Sequence, residues 1–406
     1  MSAIAIFSGT FCQKGQIVKK IIDKTGFSLL SDQDLAIQAS QMSGMTEKKV
    51  SRALSDKVSV FNAFTHEKEQ TLAYLKLALA KILSEKDDII IDGFAGLLVP
   101  QAVSHVLRIC LIADMKYRLS LASDRDKLNE KDALMLIRKE DTLRSYWVHS
   151  LFKIRDPWDP SLYDMVIPTD KTPLDDIVTM INENLKSEVI LATEASKKAT
   201  ADFLLATNVE VLLAKEGHFA EVSARDGSIT LTINKNVLML GRLEEELKKI
   251  VSRVSGVKTV DTRIGKGFYQ ADIYRKYNFE MPSKVLLVDD EREFVQTLSE
   301  RLLIRDIGSA VAYDGESALN MMEEDEPDVM ILDLKMPGID GIEVLRKVKE
   351  SRPNIEVIIL TGHGSEEDRK TCMELGAFAY LQKPVDIDQL SETLKTAKAK
   401  IKKSLE

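Results

Sequence analysis

Four short stretches near the C-terminus constrain this chain more than any other feature. Val-Leu-Leu-Val-Asp-Asp spans 285–290, and Ile-Leu-Asp-Leu-Lys-Met-Pro-Gly-Ile-Asp-Gly spans 331–341. Leu-Thr-Gly-His spans 360–363, and Tyr-Leu-Gln-Lys-Pro spans 380–384. Each apolar run has the length of a buried parallel strand and ends in a polar residue, at the sheet edge where α/β sites gather. The pattern therefore predicts that Asp289, Asp290, Asp333, Thr361 and Lys383 share one edge. Crowded carboxylates repel one another unless a cation joins them, and hard oxygen ligands suit Mg2+. Pro337, Gly338 and Gly341 fit a turn after the second run. Ile387, Leu390, Leu394, Ala397 and Ile401 recur at helical spacing and predict a last helix with a core-facing stripe.

These residues resemble the receiver domain of two-component response regulators, a flavodoxin-like (βα)5 fold, over 283–406. The resemblance implies that Asp333 accepts a phosphoryl group from a phosphohistidine on a sensor histidine kinase or a phosphotransfer protein. It implies that Asp289, Asp290, Asp333 and the backbone carbonyl of Lys335 hold Mg2+, and that Thr361 and Lys383 contact the phosphoryl group. Tyr380 stands at the switch-aromatic position, and Lys383–Pro384 is a candidate cis peptide that would aim Lys383 into the site. As in many receivers, part of the last helix is expected to serve a homodimer face.

At 406 residues the chain has room for two or three domains, and its 44% hydrophobic content suits a folded protein. A net charge of −8 disfavours nonspecific nucleic-acid binding. No helix-turn-helix signature follows the receiver-like stretch, so no DNA-binding domain is expected. Cys12, Cys110 and Cys372 are widely spaced and predict buried, reduced thiols. The sequence lacks an 18-residue apolar run and a signal-peptide pattern, which leads to the expectation of a cytoplasmic protein.

Toward the N-terminus, Ala3–Phe7 reads as a buried strand, followed by a Gly9-to-Gly15 turn and a helix carrying Ile17, Val18, Ile21 and Ile22. Strand, glycine turn and helix form the context of a phosphate-binding loop. Further buried strands are expected at 88–92 and 106–113, giving a parallel sheet. Ile-Arg-Lys-Glu-Asp at 137–141, Arg144, Tyr146, Trp147 and the Asp-Pro-Trp-Asp-Pro stretch from 156 resemble the cytidylate kinase-like family of P-loop nucleoside monophosphate kinases, over 1–187. In that family lid arginines neutralise the transferring phosphoryl group, which implies that role for Arg138 and Arg144. Gly9, Lys14 and Gly15 are the nucleotide-binding candidates, with ATP or another nucleotide as ligand. Asp141, Tyr163 and Asp164 are expected in structural or lid-anchoring roles.

The chain departs from that family in its phosphate loop. Cys12, Gln13 and Lys14 stand where glycines and a serine are expected, and the Gly9-to-Gly15 spacing is one residue too long. Asp92-Gly93-Phe94-Ala95 lacks the arginine and second carboxylate of the family's Asp-Gly-Arg-Asp. Each lost phosphate partner costs about 2–4 kcal/mol of transition-state stabilisation. The expectation is a kinase fold kept for binding or protein contacts, without nucleotide kinase turnover. A nucleotide kinase gated by the receiver, and a nucleotide- or membrane-sensing scaffold, are the alternatives.

Between these regions, 188–278 reads as a small α+β module. A helix at about 200 is followed by two alternating strands around Asp226-Gly227, a second helix and a third strand from 256. The order resembles the BON-type domain, which implies a binding module, with membrane-surface contact among its possible roles. Tyr274 to Ser283 reads as a linker. The expected architecture is therefore an α/β multidomain chain: a P-loop kinase-like parallel sheet, a small α+β middle module and a receiver.

Overall fold

The computed structural model describes residues 2–54, 67–234, 237, 240–265, 281–282, 284–305, 307–362 and 364–405. Most of the linker expected at 274–283, and His363, lie outside the described residues. The chain divides into two compact units, one formed by most of the chain up to Ile273 and the other by the C-terminal part from Tyr274.

The first unit opens with β1 (Ala3–Ser8), α1 (Lys14–Thr25), β2 (Ser28–Ser31), α2 (Asp32–Ser43) and α3 (Glu47–Ala53). It continues with α4 (Glu67–Glu85), β3 (Ile89–Asp92), β4 (Val106–Ile112), α5 (Met115–Asp126), α6 (Glu130–Phe152), β5 (Met165–Pro168) and α7 (Leu174–Leu185). The five strands are parallel in the order β2-β3-β1-β4-β5. Side chains alternate across a strand, so β1 feeds two cores. Ala3, Ala5 and Phe7 pack with Leu75 and Leu79 of α4, whereas Ile4 and Ile6 pack with Ile17, Ile21, Ile177 and Ile181. The three expected strands are present. The short runs of β2 and β5 add an edge strand on each side of them.

The same unit contains α8 (Glu194–Lys215), β6 (Glu221–Arg225), β7 (Ser228–Ile233), α9 (Leu240–Val251) and β8 (Thr259–Ile264). β6 and β7 are antiparallel around the expected Asp226-Gly227 turn, whose residues have φ of 51° and 89°. Positive φ at both central residues is the turn that matches strand twist. β8 runs parallel to β7, so the sheet order is β6-β7-β8. Phe203 and Val211 of α8 are buried in the same core as Tyr74 and Leu75.

The second unit alternates strand and helix throughout. Its elements are β9 (Val285–Val288), α10 (Arg292–Ile304), β10 (Ser309–Ala312), α11 (Gly315–Glu324) and β11 (Val329–Leu332). Then follow α12 (Gly341–Ser351), β12 (Glu356–Thr361), α13 (Glu366–Glu374), β13 (Ala379–Gln382) and α14 (Ile387–Leu405). All strand pairs are parallel, in the order β10-β9-β11-β12-β13. This is the flavodoxin-like order, in which the first strand is the switch point where ligands bind beyond the strands' carboxyl ends. Val285 and Leu287 join one core, Leu286 and Val288 the other, so helices cover both faces. Leu390, Leu394 and Ala397 of α14 are fully buried, as the stripe predicted.

Candidate functional site

The switch point of the second unit carries a dense set of charges. Asp289 and Asp290 follow β9, Asp333 follows β11, Thr361 ends β12 and Lys383 follows β13. One carboxylate oxygen from each of Asp289, Asp290 and Asp333 lies within 4.8 Å of the other two. Asp289 and Asp333 are buried, at 4% and 5% exposure, and Asp290 is the most open of the three. Asp289 accepts the Glu291 backbone N–H at 2.9 Å, and Asp333 accepts the Leu334 N–H at 2.8 Å. The Lys383 ammonium lies 2.6 Å from Asp289, 3.1 Å from Glu291 and 3.6 Å from Asp333. It also sits 4.4 Å from the centre of the Phe294 ring. The Lys383–Pro384 bond is cis, as expected, and the Lys383 N–H donates to the Thr361 carbonyl at 3.0 Å.

Burial pushes the Asp289 carboxyl above the ordinary carboxylate range, against the pull of the Lys383 hydrogen bond. For Lys383, burial works against the charge. The hydrogen bonds to Asp289 and Glu291 and the charges of Asp289 and Asp333 outweigh it and hold the ammonium above its usual pKa. The two shifts differ in cause: burial dominates at Asp289, and the surrounding carboxylates dominate at Lys383. A donor set made only of carboxylate and carbonyl oxygens fits a hard divalent cation. Lys335 lies exposed in the loop just past Asp333.

The loop after Asp333 is held close by glycine. The Gly341 N–H donates to the Leu334 carbonyl at 2.9 Å. A Cβ at Gly341 would overlap the Asp333 carbonyl oxygen and lie 2.7 Å from the Leu334 Cα. On β13, Tyr380 turns its ring inward. Its hydroxyl is buried without a hydrogen-bond partner among the described residues, and a Cβ at Gly364 would overlap it and lie 3.0 Å from the Thr361 methyl. Glu291 and Phe294, which flank Lys383, were not expected from the sequence. Their signal is position alone, one and four residues after the Asp-Asp pair.

The phosphate-loop candidates of the first unit are engaged with the protein's own groups. Gly9 and Gly15 flank the turn into α1, with Phe11 and Gln13 in the left-handed region at φ of 59° and 55°. A Cβ at Gly9 would lie 2.9 Å from the buried Cys12 sulfur. Lys14 pairs with Asp92 at 2.7 Å. Arg144 donates to the Ser8 carbonyl at 2.9 Å and pairs with Glu140 at 3.2 Å. Arg138 lies exposed on α6, and its guanidinium has no bonded partner among the described residues. Arg118, which the sequence reading did not single out, donates to the Thr10 carbonyl and forms a two-pronged bond with Asp141, all at 2.8 Å. Asp141 thus pairs across to another helix rather than along its own surface. Phe94 packs 5.4 Å from Phe7 and 4.9 Å from Trp147, centre to centre. Tyr163 donates to the Pro157 carbonyl at 2.6 Å, and Asp164 accepts the Arg108 N–H at 2.7 Å.

Comparison with known proteins identifies two regions of the chain. The response regulator receiver domain family matches residues 285–395, and the cytidylate kinase-like family matches residues 3–171. The chain is 36% identical over 115 residues to sporulation initiation phosphotransferase F of Bacillus subtilis, covering 28% of this chain and 93% of that protein. It is 34% identical over 110 residues to response regulator MprA of Mycolicibacterium vanbaalenii, covering 27% of this chain and 48% of that protein, about half its length. A response regulator receiver domain protein of Clostridium thermocellum, solved by crystallography, shares 37% identity over 30% of this chain and 98% of that one, with a TM-score of 0.29. The chain belongs to the response regulator receiver family and is a two-component response regulator, with a cytidylate kinase-like region ahead of its receiver.

Proposed function

We propose that Asp333 is the phosphoacceptor and that its donor is a phosphohistidine on a sensor histidine kinase or a phosphotransfer protein. The observation that carries this reading is the Lys383 ammonium placed between Asp289 and Asp333 at the switch point of the sheet. An Asp333 carboxylate oxygen attacks phosphorus, the P–N bond breaks, and the imidazole leaves as a neutral ring once protonated. Such a transfer needs positioning and charge neutralisation more than covalent help. Asp289, Asp290, Asp333 and the Lys335 carbonyl would hold Mg2+, which when bound offsets charge on the transferring phosphoryl oxygens. Lys383 would exchange part of its contact with Asp289 for a phosphoryl oxygen, and the Thr361 hydroxyl would donate to another. Tyr380, packed beside Thr361, would then change its packing with the Thr361 side chain, so that a charge event becomes a shape change.

We assign the chain three functional segments, at 1–187, 188–278 and 283–406. The kinase-like segment serves binding or protein contact rather than turnover. This rests on Lys14, Arg118 and Arg144 already bonded to Asp92, Asp141 and loop carbonyls. A transferring phosphate would have to displace each bond. The test is phosphorylation of the full chain with acetyl phosphate and Mg2+, read by intact mass. Native protein should gain one phosphoryl group and Asp333→Asn none. A phosphoryl group retained by Asp333→Asn would overturn the assignment.

A further inference from the structure

A cavity of about 580 Å3 in the first unit belongs to neither site described above. Its floor is α8, through Ala199, Phe203 and Ala206. One wall is Leu98, Pro100 and Ala102. That wall is held by the buried Arg108 guanidinium, which donates to the carbonyls of Val99, Pro100 and Val103 at 3.5, 2.7 and 3.4 Å. The opposite wall is Val222, Ser223, Ala224, Arg225 and Asp226. Five consecutive residues line it, and successive side chains of a strand point to opposite faces. A strand presents consecutive residues to one space only when its hydrogen-bonding edge faces that space.

β6 is the edge strand of its sheet. Arg225 and Ser228 flank the two-residue turn, and in such a hairpin that pair exchanges hydrogen bonds. Ser223 and Glu221, two and four residues back, also bond to β7. Val222 and Ala224 therefore turn their N–H and C=O groups outward, into the cavity, and neither has an outer partner among the described residues. β6 has no proline, bulge or lysine on this edge, and its charged residues, Glu221 and Arg225, stand at its two ends.

The charges around the cavity are mostly matched. Lys76 pairs with Glu210 at 3.1 Å, Lys198 lies 3.7 Å from Asp226, and Asp202 accepts the Asp226 N–H at 2.8 Å. The exposed Arg225 guanidinium is the exception, with no ion pair among the described residues. We propose that β6 accepts an extended peptide segment of a partner protein as an added strand. The segment's backbone would pair with Val222 and Ala224. Its inward side chains would be small and apolar against Phe203 and Ala206, and an acidic side chain would meet Arg225. Main-chain pairing supplies affinity in this mode and alternate side chains supply specificity. The site is independent of the phosphoacceptor reading.

The test uses the full chain and a panel of labelled, capped heptapeptides that alternate Val or Thr with polar residues, with Glu or Lys toward one end. Fluorescence polarisation should show saturable binding of Glu peptides, with slowed hydrogen exchange at the Val222 and Ala224 amides. Ala224→Pro removes an outward N–H while sparing the β7 ladder, and should weaken binding at least about tenfold. Arg225→Glu changes an exposed residue without threatening the fold, and should switch preference from Glu to Lys peptides. Absence of binding by the whole panel at about 1 mM, or binding unchanged by both variants, would overturn the proposal. So would self-association of the native chain that Ala224→Pro abolishes, because the occupant would then be a second copy.

Discussion

Replacing Gly341 by alanine pits two physical effects against each other. Gly341 opens α12, and helix propensity alone would make alanine more stable there by about 1 kcal/mol. The packing predicts the opposite sign. The new Cβ would overlap the Asp333 carbonyl oxygen, at 2.7 Å from the Leu334 Cα and 3.0 Å from the Asp333 carbonyl carbon. All three are backbone atoms, so no rotamer change relieves the clash. The Gly341 N–H also donates to the Leu334 carbonyl, so helix and strand end cannot separate without losing that bond. Overpacking costs about 1–3 kcal/mol, and a lost hydrogen bond a further 0.5–1.5 kcal/mol or so. After the propensity gain, the net expectation is a receiver destabilised by about 0.5–3.5 kcal/mol, with slower phosphorylation because Asp333 moves with its carbonyl. Gly338→Ala is the control: Gly338 has a φ of 83° but open space around its Cβ, so only the left-handed penalty of about 1–2 kcal/mol applies. Hydrogen exchange of β11 and α12 amides, with urea unfolding by circular dichroism, measures both variants. A Gly341→Ala protein as stable as the native chain would refute the close approach of α12 to the acceptor strand.

Other measurements follow from the charges. Burial raises the folded pKa of Asp289, so its stabilising contribution is present below the ordinary carboxylate value and lost as pH rises through the folded value. Asp289→Asn should therefore stabilise the receiver at neutral pH without Mg2+, while weakening Mg2+ binding by calorimetry; equal Mg2+ affinity would count against the ligand assignment. Asp32, buried against the Phe94 and Ala95 N–H groups, is pushed up by desolvation to about 6. By the same sign its contribution is full below about pH 4 and fades through about 6, so Asp32→Asn should remove a loss of thermal stability across that window. ATP with nucleoside monophosphates should yield no diphosphate from the full chain, and turnover that Lys14→Ala abolishes would revive a kinase reading of the first unit.

Much of the receiver site is readable from the chain because buried parallel strands are short apolar runs and the residue after each run falls at the same sheet edge. Asp289, Asp333, Thr361 and Lys383 follow from that rule alone. Local turn chemistry likewise announces the Asp226-Gly227 hairpin. The kinase-like loop is different. Its departures in composition are visible at Cys12, Gln13 and Phe94, but its bonding partners are not. Lys14 meets Asp92 because β1 and β3 lie side by side, and Arg118 meets Asp141 because α5 and α6 pack together. β2 and β5 escape a pattern search because they are edge strands with a single buried residue each, Leu30 and Ile167, and lack the buried run of β3 or β9.

The amino-acid order by itself determines where each strand ends and which functional group stands there, since strand length, face alternation and turn preference are local properties. Which of those ends meet is decided by the order β10-β9-β11-β12-β13, a matter of hydrogen bonding between distant segments. That order sets the Lys383 ammonium beside Asp289 and Glu291, and carboxylates distant in sequence hold its pKa up, while burial at the same sheet edge raises that of Asp289. The open edge of β6 is likewise a tertiary fact: Val222 and Ala224 read as ordinary strand residues until the sheet leaves them without a neighbour.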